Sequence, residues 1–371
     1  MPIGVVMLLF ACASGAVVSA ANSTSRVPAE SPAVKRGDFD PAAFSSRGEL
    51  EKLRFVLEVL ESRDRSLENF SCKVQQSTTN FRVRDGGGRH FLHRQDWELR
   101  RLGPKYWLKR IDYEYYRPDL AVRQAWLSSW DGSASRSMPA TEAPKAEHFC
   151  HIRPVENHDA IYDHYNELLG FRTYAGNDRV AALIDFLRDA AKPDRELRIW
   201  DEQVKDMHAI HMRVREGDDR WDFWLDPARG YLVERSEWKS EHGAAYNSVS
   251  GELRAAEQVA GVWVPRKVVC VSGTSASEEA TEMTYEATSV RIGHVTEQDV
   301  RLTIPKDARV FDTVRKIAYE PLANGKYRLL PIEDEHRVLH VPPRDAIVDR
   351  IDDETPGLYS ISQDLPLRLR G

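Results

Sequence analysis

Long apolar runs are absent from this chain after residue 20, and so are the motifs of the common catalytic folds. No stretch in residues 21–371 approaches the roughly 20 apolar residues that span a bilayer as a helix. The sequence has no Gly-x-Ser-x-Gly elbow, no His-Glu-x-x-His helix and no Walker-type glycine loop. The glycines at 86–88 lie between two predicted strands, which is typical of a hairpin tip. Composition and motifs therefore predict no enzyme of these classes.

Cysteine and charge of one sign are also scarce. The 371 residues include 4 cysteines, of which Cys72, Cys150 and Cys270 follow the first apolar segment at wide spacing. An odd number at such spacing is not a disulfide framework, and at most one bridge is expected, between a pair that the sequence does not identify. The formal net charge is −6, with both signs interspersed and no basic run. Nucleic acid is therefore not a predicted partner.

The first 20 residues carry no charged side chain and are apolar from Ile3 to Val18. Val18-Ser19-Ala20 places small residues where a signal peptidase cuts, so residues 1–20 are predicted to be a signal peptide. Lipid attachment at Cys12, after Leu9-Phe10-Ala11, and a retained anchor are the alternatives. Each version predicts an exported protein, periplasmic or otherwise extracytoplasmic.

Beyond the signal, the pattern predicts one long helix and then many strands. Residues 21–46 are rich in Ser, Ala and Pro and predict a disordered spacer. Apolar residues recur at helical spacing from Leu50 to Leu60. Alternating segments follow over 70–130 and 196–292, with a weaker one at 300–304, and a helical insert of two short helices over 157–190. The predicted fold is α+β: a strongly curved antiparallel sheet, or half-open β-barrel, over 47–315, with a partly ordered extension at 316–371.

Aromatic side chains are more abundant on the predicted strands than one sheet face needs. They either fill a core or line a pocket for an apolar molecule, since such pockets are built from aromatic residues. The pocket interpretation predicts that the helical insert is a lid. Cavity candidates are Trp97, Trp107, Ile111, Tyr113, Trp126, Trp130, Trp221 and Phe223, and lid candidates are Ile161, Tyr165, Leu168, Leu183 and Leu187.

A family resemblance begins at the hairpin of residues 221–238. The segment Leu-Asp-Pro-Ala-Arg-Gly-Tyr from Leu225 to Tyr231, preceded by an aromatic strand, resembles the strand-turn-strand signature of periplasmic lipoprotein carriers. These form the LolA/LolB-like superfamily, which includes the sensor domains of RseB-type regulators. Residues 261–268, Gly-Val-Trp-Val-Pro-Arg-Lys-Val, resemble the following strand, and the order of elements over 47–315 also agrees. The resemblance implies an incomplete β-barrel around an apolar cavity that binds acyl chains and performs no chemistry.

We therefore expect a monomeric, non-enzymatic extracytoplasmic carrier without cofactor or metal. Its partners would be a lipid or acylated protein cargo and a membrane-bound donor or acceptor protein. Two alternatives remain: an envelope sensor or scaffold of the same fold, and a zinc-dependent hydrolase. The hydrolase would use the donors of Glu147, His148, Cys150 and His151, which would have to converge in one cleft.

Overall fold

The computed structural model describes residues 39–82, 90–113, 121–143, 149–154, 172–175, 179–192, 195–204, 207–242, 245–274, 279–314, 317–322, 324–330, 332–334, 337–340, 347–351 and 359–361. These residues all fall within one compact unit, 36–371. The predicted signal peptide and the lid candidates Ile161, Tyr165 and Leu168 lie outside the described residues. Within the described ranges, no helix is both long enough and apolar enough to cross a membrane.

Three helices and 22 strands are formed by the described residues. The helices are α1 (Pro41–Ser45), α2 (Glu49–Ser66) and α3 (Leu183–Asp189). The strands are β1 (Asn69–Arg82), β2 (His90–Leu102), β3 (Lys105–Tyr113), β4 (Val122–Trp130), β5 (Ala134–Pro139), β6 (Phe149–Pro154), β7 (Arg172–Ala175), β8 (Arg179–Ala182), β9 (Glu196–Val204), β10 (Met207–Glu216), β11 (Asp219–Asp226), β12 (Leu232–His242), β13 (Ala245–Val259), β14 (Val262–Thr274), β15 (Glu279–Ile292), β16 (Arg309–Asp312), β17 (Ile317–Pro321), β18 (Tyr327–Leu330), β19 (Ile332–Asp334), β20 (Arg337–His340), β21 (Ile347–Ile351) and β22 (Tyr359–Ile361).

Eighteen of these strands form a single curved sheet. Its spatial order is β9-β10-β11-β12-β13-β14-β15-β1-β2-β3-β4-β5-β6-β16-β17-β18-β21-β22. Neighbouring strands are antiparallel except β6 and β16, which run parallel. Because β9 and β22 are the two ends and do not pair with each other among the described residues, the sheet is not closed. The predicted α+β class with a large, curved, unclosed sheet is confirmed.

Helix α2 forms where the helical spacing predicted it. Acidic Glu49 and Glu51 occupy its first turn and basic Arg63 and Arg65 its last, which complements the helix dipole. Its apolar stripe is buried against the sheet, and each such side chain contributes roughly 1.5–3 kcal/mol when fully buried. The buried apolar residues of α2 are Leu53, Val56 and Leu60.

The sheet buries a different face in each half. We call "inner" the face that packs against α2 and α3 and carries the large core of β9–β15 and β1–β4. A second, smaller core lies on β5, β6 and β16–β18 and includes Cys150, Ile152 and Val310. Direct pairs through β3–β4, β4–β5 and β5–β6 place Ile152 on the same face as Trp107, the face opposite to the large core. The second core therefore forms on the outer face.

The hairpin of β11 and β12 has the predicted turn. Asp226 Oδ1 accepts a hydrogen bond from the Ala228 N–H at 2.9 Å, and Gly230 adopts the left-handed conformation with φ +63°. Glycine avoids the Cβ penalty there. Leu225 pairs with Val233 but Trp224 pairs with Arg235, so the intervening Glu234 is the extra residue of a β-bulge.

The edge strand β9 is covered by side chains of α2. The Ile199 N–H donates to Glu49 Oε2 at 2.6 Å, and the Ile199 carbonyl accepts from Lys52 Nζ at 2.9 Å. Ser45, at the end of α1, donates its hydroxyl to the carboxylate of Asp201 in the same strand. Helix side chains thus replace the missing neighbouring strand at this position.

The structure corrects several predicted boundaries. Residues 41–45, within the predicted spacer, form α1, because Asp40 Oδ1 accepts from the backbone N–H groups of 42 and 43 and Phe44 is buried. Val180, predicted to be helical, lies in β8, since β7 and β8 form a hairpin that precedes α3. Residues 300–304 form no strand. Strands β17, β18, β21 and β22 of the C-terminal extension continue the main sheet.

Candidate ligand-binding site

The inner face of β11 lies beneath the short helix α3. Trp221 and Phe223 project from β11 into the large core and are 0% and 1% exposed. The ring of Phe186 on α3 lies 5.1 Å from the Trp221 ring and 6.1 Å from the Phe223 ring, as centroid distances. Leu183 and Leu187, both predicted lid residues, are completely buried in the same core. Helix α3 therefore occupies the apolar surface that the sequence assigned to a ligand.

Among the described residues, the side-chain polar contacts of α3 are exposed ion pairs and a cation–π contact of Arg195 with the Phe186 ring at 5.4 Å. Arg188 forms ion pairs with Glu61 of α2 and with Asp185 of α3 itself, at 2.8 and 2.7 Å, and all three side chains are at least one third exposed. Exposed pairs of this kind contribute about 0–1 kcal/mol. The helix has only seven residues, too short to be stable alone. Apolar burial against the sheet is thus the main interaction that fixes α3.

Three other cavity candidates also lie on the inner face, towards β4. Trp97 and Trp130 are buried in the large core, and the Trp97 ring lies edge-on to Tyr285 at 6.0 Å. Trp126 is half-buried beyond that core, and its ring lies 5.9 Å from Phe149 of β6. Aromatic side chains therefore continue along the inner face past the region covered by α2 and α3.

The remaining cavity candidates, Trp107, Ile111 and Tyr113, lie on the outer face, so their assignment to one pocket with Trp97 is wrong. In the β2–β3 ladder Trp97 is directly opposite Arg110, and Trp107 is opposite Arg100. Directly opposed residues share a face, and adjacent residues of a strand do not. Trp107 accordingly packs under the guanidinium of Arg100, at 4.3 Å from the ring centre.

Sequence reasoning missed a polar row on the inner face of β1–β3. Gln76 of β1 is directly opposite Gln95 of β2, which is directly opposite Asp112 of β3. Gln76 Oε1, Gln95 Oε1 and Asp112 Oδ1 are buried and have no hydrogen-bond partner among the described residues. We call these three residues the acceptor row. A signal was present in β1, where the inner-face positions change from Phe70, Cys72 and Val74 to Gln76 and Thr78.

His93 lies beside the acceptor row, opposite Thr78. Burial is the main cause that lowers the pKa of His93, and the charges of Arg110 and Arg123 lower it further, against the opposing effect of Asp112. The neutral imidazole is therefore favoured at this position. Arg110 donates to Oδ2 of Asp112 at 2.9 Å, which leaves Oδ1 as the atom without a partner.

The proposed hydrolase donors do not converge where the structure describes them. Cys150 and His151 are consecutive residues of β6, so their side chains point to opposite faces. Cys150 is buried in the second core, and His151 stacks on Phe311 with ring centres 5.2 Å apart. Glu147 and His148 lie outside the described residues. No three His, Cys, Asp or Glu side chains of the described part of the chain come together to hold a metal ion.

A separate polar network lies on the outer face of β9–β11. Asp222 is 1% exposed and accepts hydrogen bonds from His211 and Arg213, while Arg220 pairs with its second oxygen at 2.9 Å. The rings of Trp200 and Trp224 flank His211 at 4.0 and 4.2 Å. His211 and Asp222 are the buried centre of this network, while the side chains of Arg213 and Arg220 stay about 30% exposed.

Comparison with known proteins finds distant likenesses to solved structures. No model of a known family matches the chain, and neither does any curated protein. The chain is similar to the solved structure of a DUF1329 family protein from Desulfovibrio piger, with 10% identity over 67% of this chain and 97% of that chain and a TM-score of 0.37. It is also similar to a LolA superfamily protein from Nitrosomonas europaea, with 11% identity over 67% of this chain and 97% of that chain and a TM-score of 0.33. A third likeness is to MucB in complex with MucA, with 12% identity over 66% of this chain and 99% of that chain and a TM-score of 0.17.

A LolA superfamily protein is thus among the structures to which the chain is similar, as the hairpin resemblance predicted. All three TM-scores are below 0.5, so these likenesses decide nothing about a ligand. The function has to be inferred from the side chains of this chain.

Proposed function

We propose that this protein is a non-enzymatic, extracytoplasmic binder of an apolar ligand, such as the acyl chains of a lipid or lipoprotein. The observation that carries the proposal is the position of α3, a seven-residue helix that covers Trp221 and Phe223 with Phe186 and two leucines. An empty apolar cavity in place of α3 would be costly, at about 24 cal/mol per Å³. In this proposal α3 fills the site when no ligand is present.

Ligand entry in this scheme requires α3 to leave the inner face. An acyl chain then replaces the buried surface of Leu183, Phe186 and Leu187, at roughly 0.8 kcal/mol per methylene buried. The exposed pair between Arg188 and Glu61 is the main polar contact to break on the side of α2. Release requires the reverse exchange, which an acceptor protein or membrane would drive. A carrier and a sensor would both bind their ligand by this exchange of α3 for an acyl chain.

The test compares two leucine truncations that have equal burial and different roles. Leu187 of α3 and Leu60 of α2 are both 0% exposed. Leu187→Ala and Leu60→Ala should each lower the free energy of unfolding by about 2–5 kcal/mol. Only Leu187→Ala weakens the helix that competes with ligand, so it should tighten binding of a fluorescent C12 fatty acid by about tenfold, equal to 1.4 kcal/mol.

Two results would contradict the proposal. One is that neither the unsubstituted protein nor Leu187→Ala binds the probe. The other is that the two substitutions change probe binding equally, because binding would then follow general loss of stability and would not involve α3.

A further inference from the structure

The acceptor row holds three oxygen atoms that are buried away from water and have no donor in the part of the chain that the structure describes. Gln76 is 7% exposed and Asp112 is 6% exposed, and the Oε1 atom of Gln95 between them is buried as well. Directly opposed side chains on one sheet face have their Cβ atoms roughly 5 Å apart. The three residues therefore form a continuous row across three strands. Buried polar atoms without partners are rare, so a line of three needs an explanation.

The row adjoins the aromatic part of the inner face. One step along each strand on the same face, Val74 is paired with Trp97, and Trp97 with Arg110. Tyr285 of β15 is opposite Gln76 and in edge contact with Trp97. A molecule lying along this face would meet apolar surface first and hydrogen-bond acceptors next. This sequence of surfaces matches an amphipathic molecule.

The chemistry of the row selects for donors. A glutamine Oε1 and a carboxylate Oδ1 accept hydrogen bonds and cannot donate them. The charge of Asp112 is already compensated by Arg110, which donates to Oδ2 through both Nε and Nη2. A ligand at the row therefore needs adjacent O–H or N–H groups more than it needs positive charge.

We propose that the acceptor row binds the head group of an amphipathic ligand, one that carries several adjacent O–H or N–H donors, while its apolar chain lies on the inner face. This inference rests on the proposed function and specifies its ligand. A head group of hydroxyls or a primary ammonium satisfies the row. A carboxylate or a trimethylammonium group leaves it unpaired, and unpaired buried acceptors disfavour binding.

The test uses four C12 amphiphiles as monomers, with binding measured by isothermal titration calorimetry. Dodecyl glucoside and dodecylammonium carry donors, whereas dodecyltrimethylammonium and dodecanoate carry none. We expect the donor-bearing pair to bind about tenfold more tightly, the factor that corresponds to one or two hydrogen bonds. Whether the glucoside or the ammonium binds better identifies the source of the donors, a polyol or an amine.

Substitution by methionine removes the amide but keeps a side chain of similar length. Gln76→Met and Gln95→Met should each lower the affinity for dodecyl glucoside by about tenfold and leave dodecanoate unchanged. Because each also removes a buried atom without a partner, the melting temperature of the ligand-free protein should rise. Gln298→Met is the matched control on an exposed loop and should change neither quantity.

The outcomes separate this inference from the proposed function. If all four amphiphiles bind equally and the methionine variants keep that pattern, the head-group site is wrong while apolar binding stands. A lower melting temperature of both methionine variants with unchanged selectivity would also overturn it, because the amides would then be structural. If none of the four binds, the proposed function itself fails.

Discussion

Nε2 of His211 lies 2.8 Å from Oδ1 of Asp222, on the outer face of the sheet. The other ring nitrogen, Nδ1, lies 2.6 Å from Oε2 of Glu202. Both ring nitrogens are thus within hydrogen-bond distance of a carboxylate oxygen. The imidazole thereby joins β9 to β11 across β10, on the side of the sheet away from α3.

We predict a large loss of stability when Asp222 is replaced by Asn. The carboxylate is buried, accepts a hydrogen bond from His211 and compensates the charges of Arg213 and Arg220, so the substitution leaves the two guanidinium groups without their counter-charge. Breaking a buried pair of this kind costs about 3–5 kcal/mol, which urea unfolding measures. Glu58→Gln, at an exposed position of α2, is the control and should stay within about 0.5 kcal/mol. Equal effects of the two substitutions would mean that the network contributes nothing.

The same carboxylate should make stability fall in acid. Burial alone would raise the pKa of Asp222, but hydrogen bonds from His211 and Arg213 and the charge of Arg220 outweigh it, so its pKa lies below the ordinary 3.8. A depressed pKa stabilises the fold above the unfolded value and loses that contribution as pH falls through the folded value. The difference in unfolding free energy between the unsubstituted protein and Asp222→Asn should therefore shrink below pH 3.8. A difference independent of pH would contradict this assignment.

Glu234 should have the opposite dependence. Burial is the main cause that raises the pKa of this bulge residue from 4.5 to about 7, with Asp226 adding to the effect and Arg229 opposing it. The protonated form stabilises the fold below pH 4.5, and this contribution is lost as pH rises to about 7. Glu234→Gln, which stays neutral, should gain stability relative to the unsubstituted protein across that range, by up to about 3 kcal/mol. Urea unfolding at acidic and alkaline pH measures the gain, and Glu297→Gln, at an exposed position, should show none.

Substitution of two tryptophans tests which face of the sheet binds the ligand. Trp126 lies on the inner face and Trp107 on the outer face. Trp126→Ala should weaken binding of the fluorescent fatty acid by at least about fivefold, because an indole ring supplies large apolar contact area. Trp107→Ala should leave the affinity unchanged. If Trp107→Ala alone weakened binding, the ligand would lie on the outer face.

The buried thiols should react only on unfolding. Burial raises the pKa of Cys72 to about 12 and is also the main cause that raises the pKa of Cys150 to about 11. The reactive thiolate is therefore scarce at both positions at neutral pH. We expect iodoacetamide, read out by peptide mass spectrometry, to label the half-buried Cys270 before either of them. Labelling of all three at one rate would indicate that the sheet opens readily.

Much of the strand order could be predicted from local pattern. The bounds of β2 and β9 agree with the alternation of the sequence, and the turn at Asp226–Gly230 follows from residue types that need no long-range information. Alternation also shows which residues of one strand share a face. It does not show which face of the next strand they join, because a shift by one residue exchanges the two faces. Only the pairing register of β2 and β3 shows that Trp97 and Trp107 lie on opposite faces of the sheet.

The candidate site was less predictable. Aromatic residues such as Trp221 predict a buried apolar surface, but the sequence does not show whether a helix or a ligand covers that surface. The acceptor row is still harder to foresee, because its defining property is that Gln76 Oε1, Gln95 Oε1 and Asp112 Oδ1 have no donor among the described residues. Such a property depends on three strands paired in one register and on every side chain around them.

The hydrogen bonds of Ile199 to Glu49 and Lys52 affect how easily a strand of another molecule can pair with the edge strand β9. An unclosed sheet offers its first strand as a template, and a free backbone edge recruits strands from other molecules. Here the amide and carbonyl that a foreign strand would need are already engaged by a carboxylate and an ammonium on a helix. Helix α2 therefore hinders the pairing of a foreign strand at Ile199. The sheet can stay unclosed there without exposing these two backbone groups to intermolecular pairing.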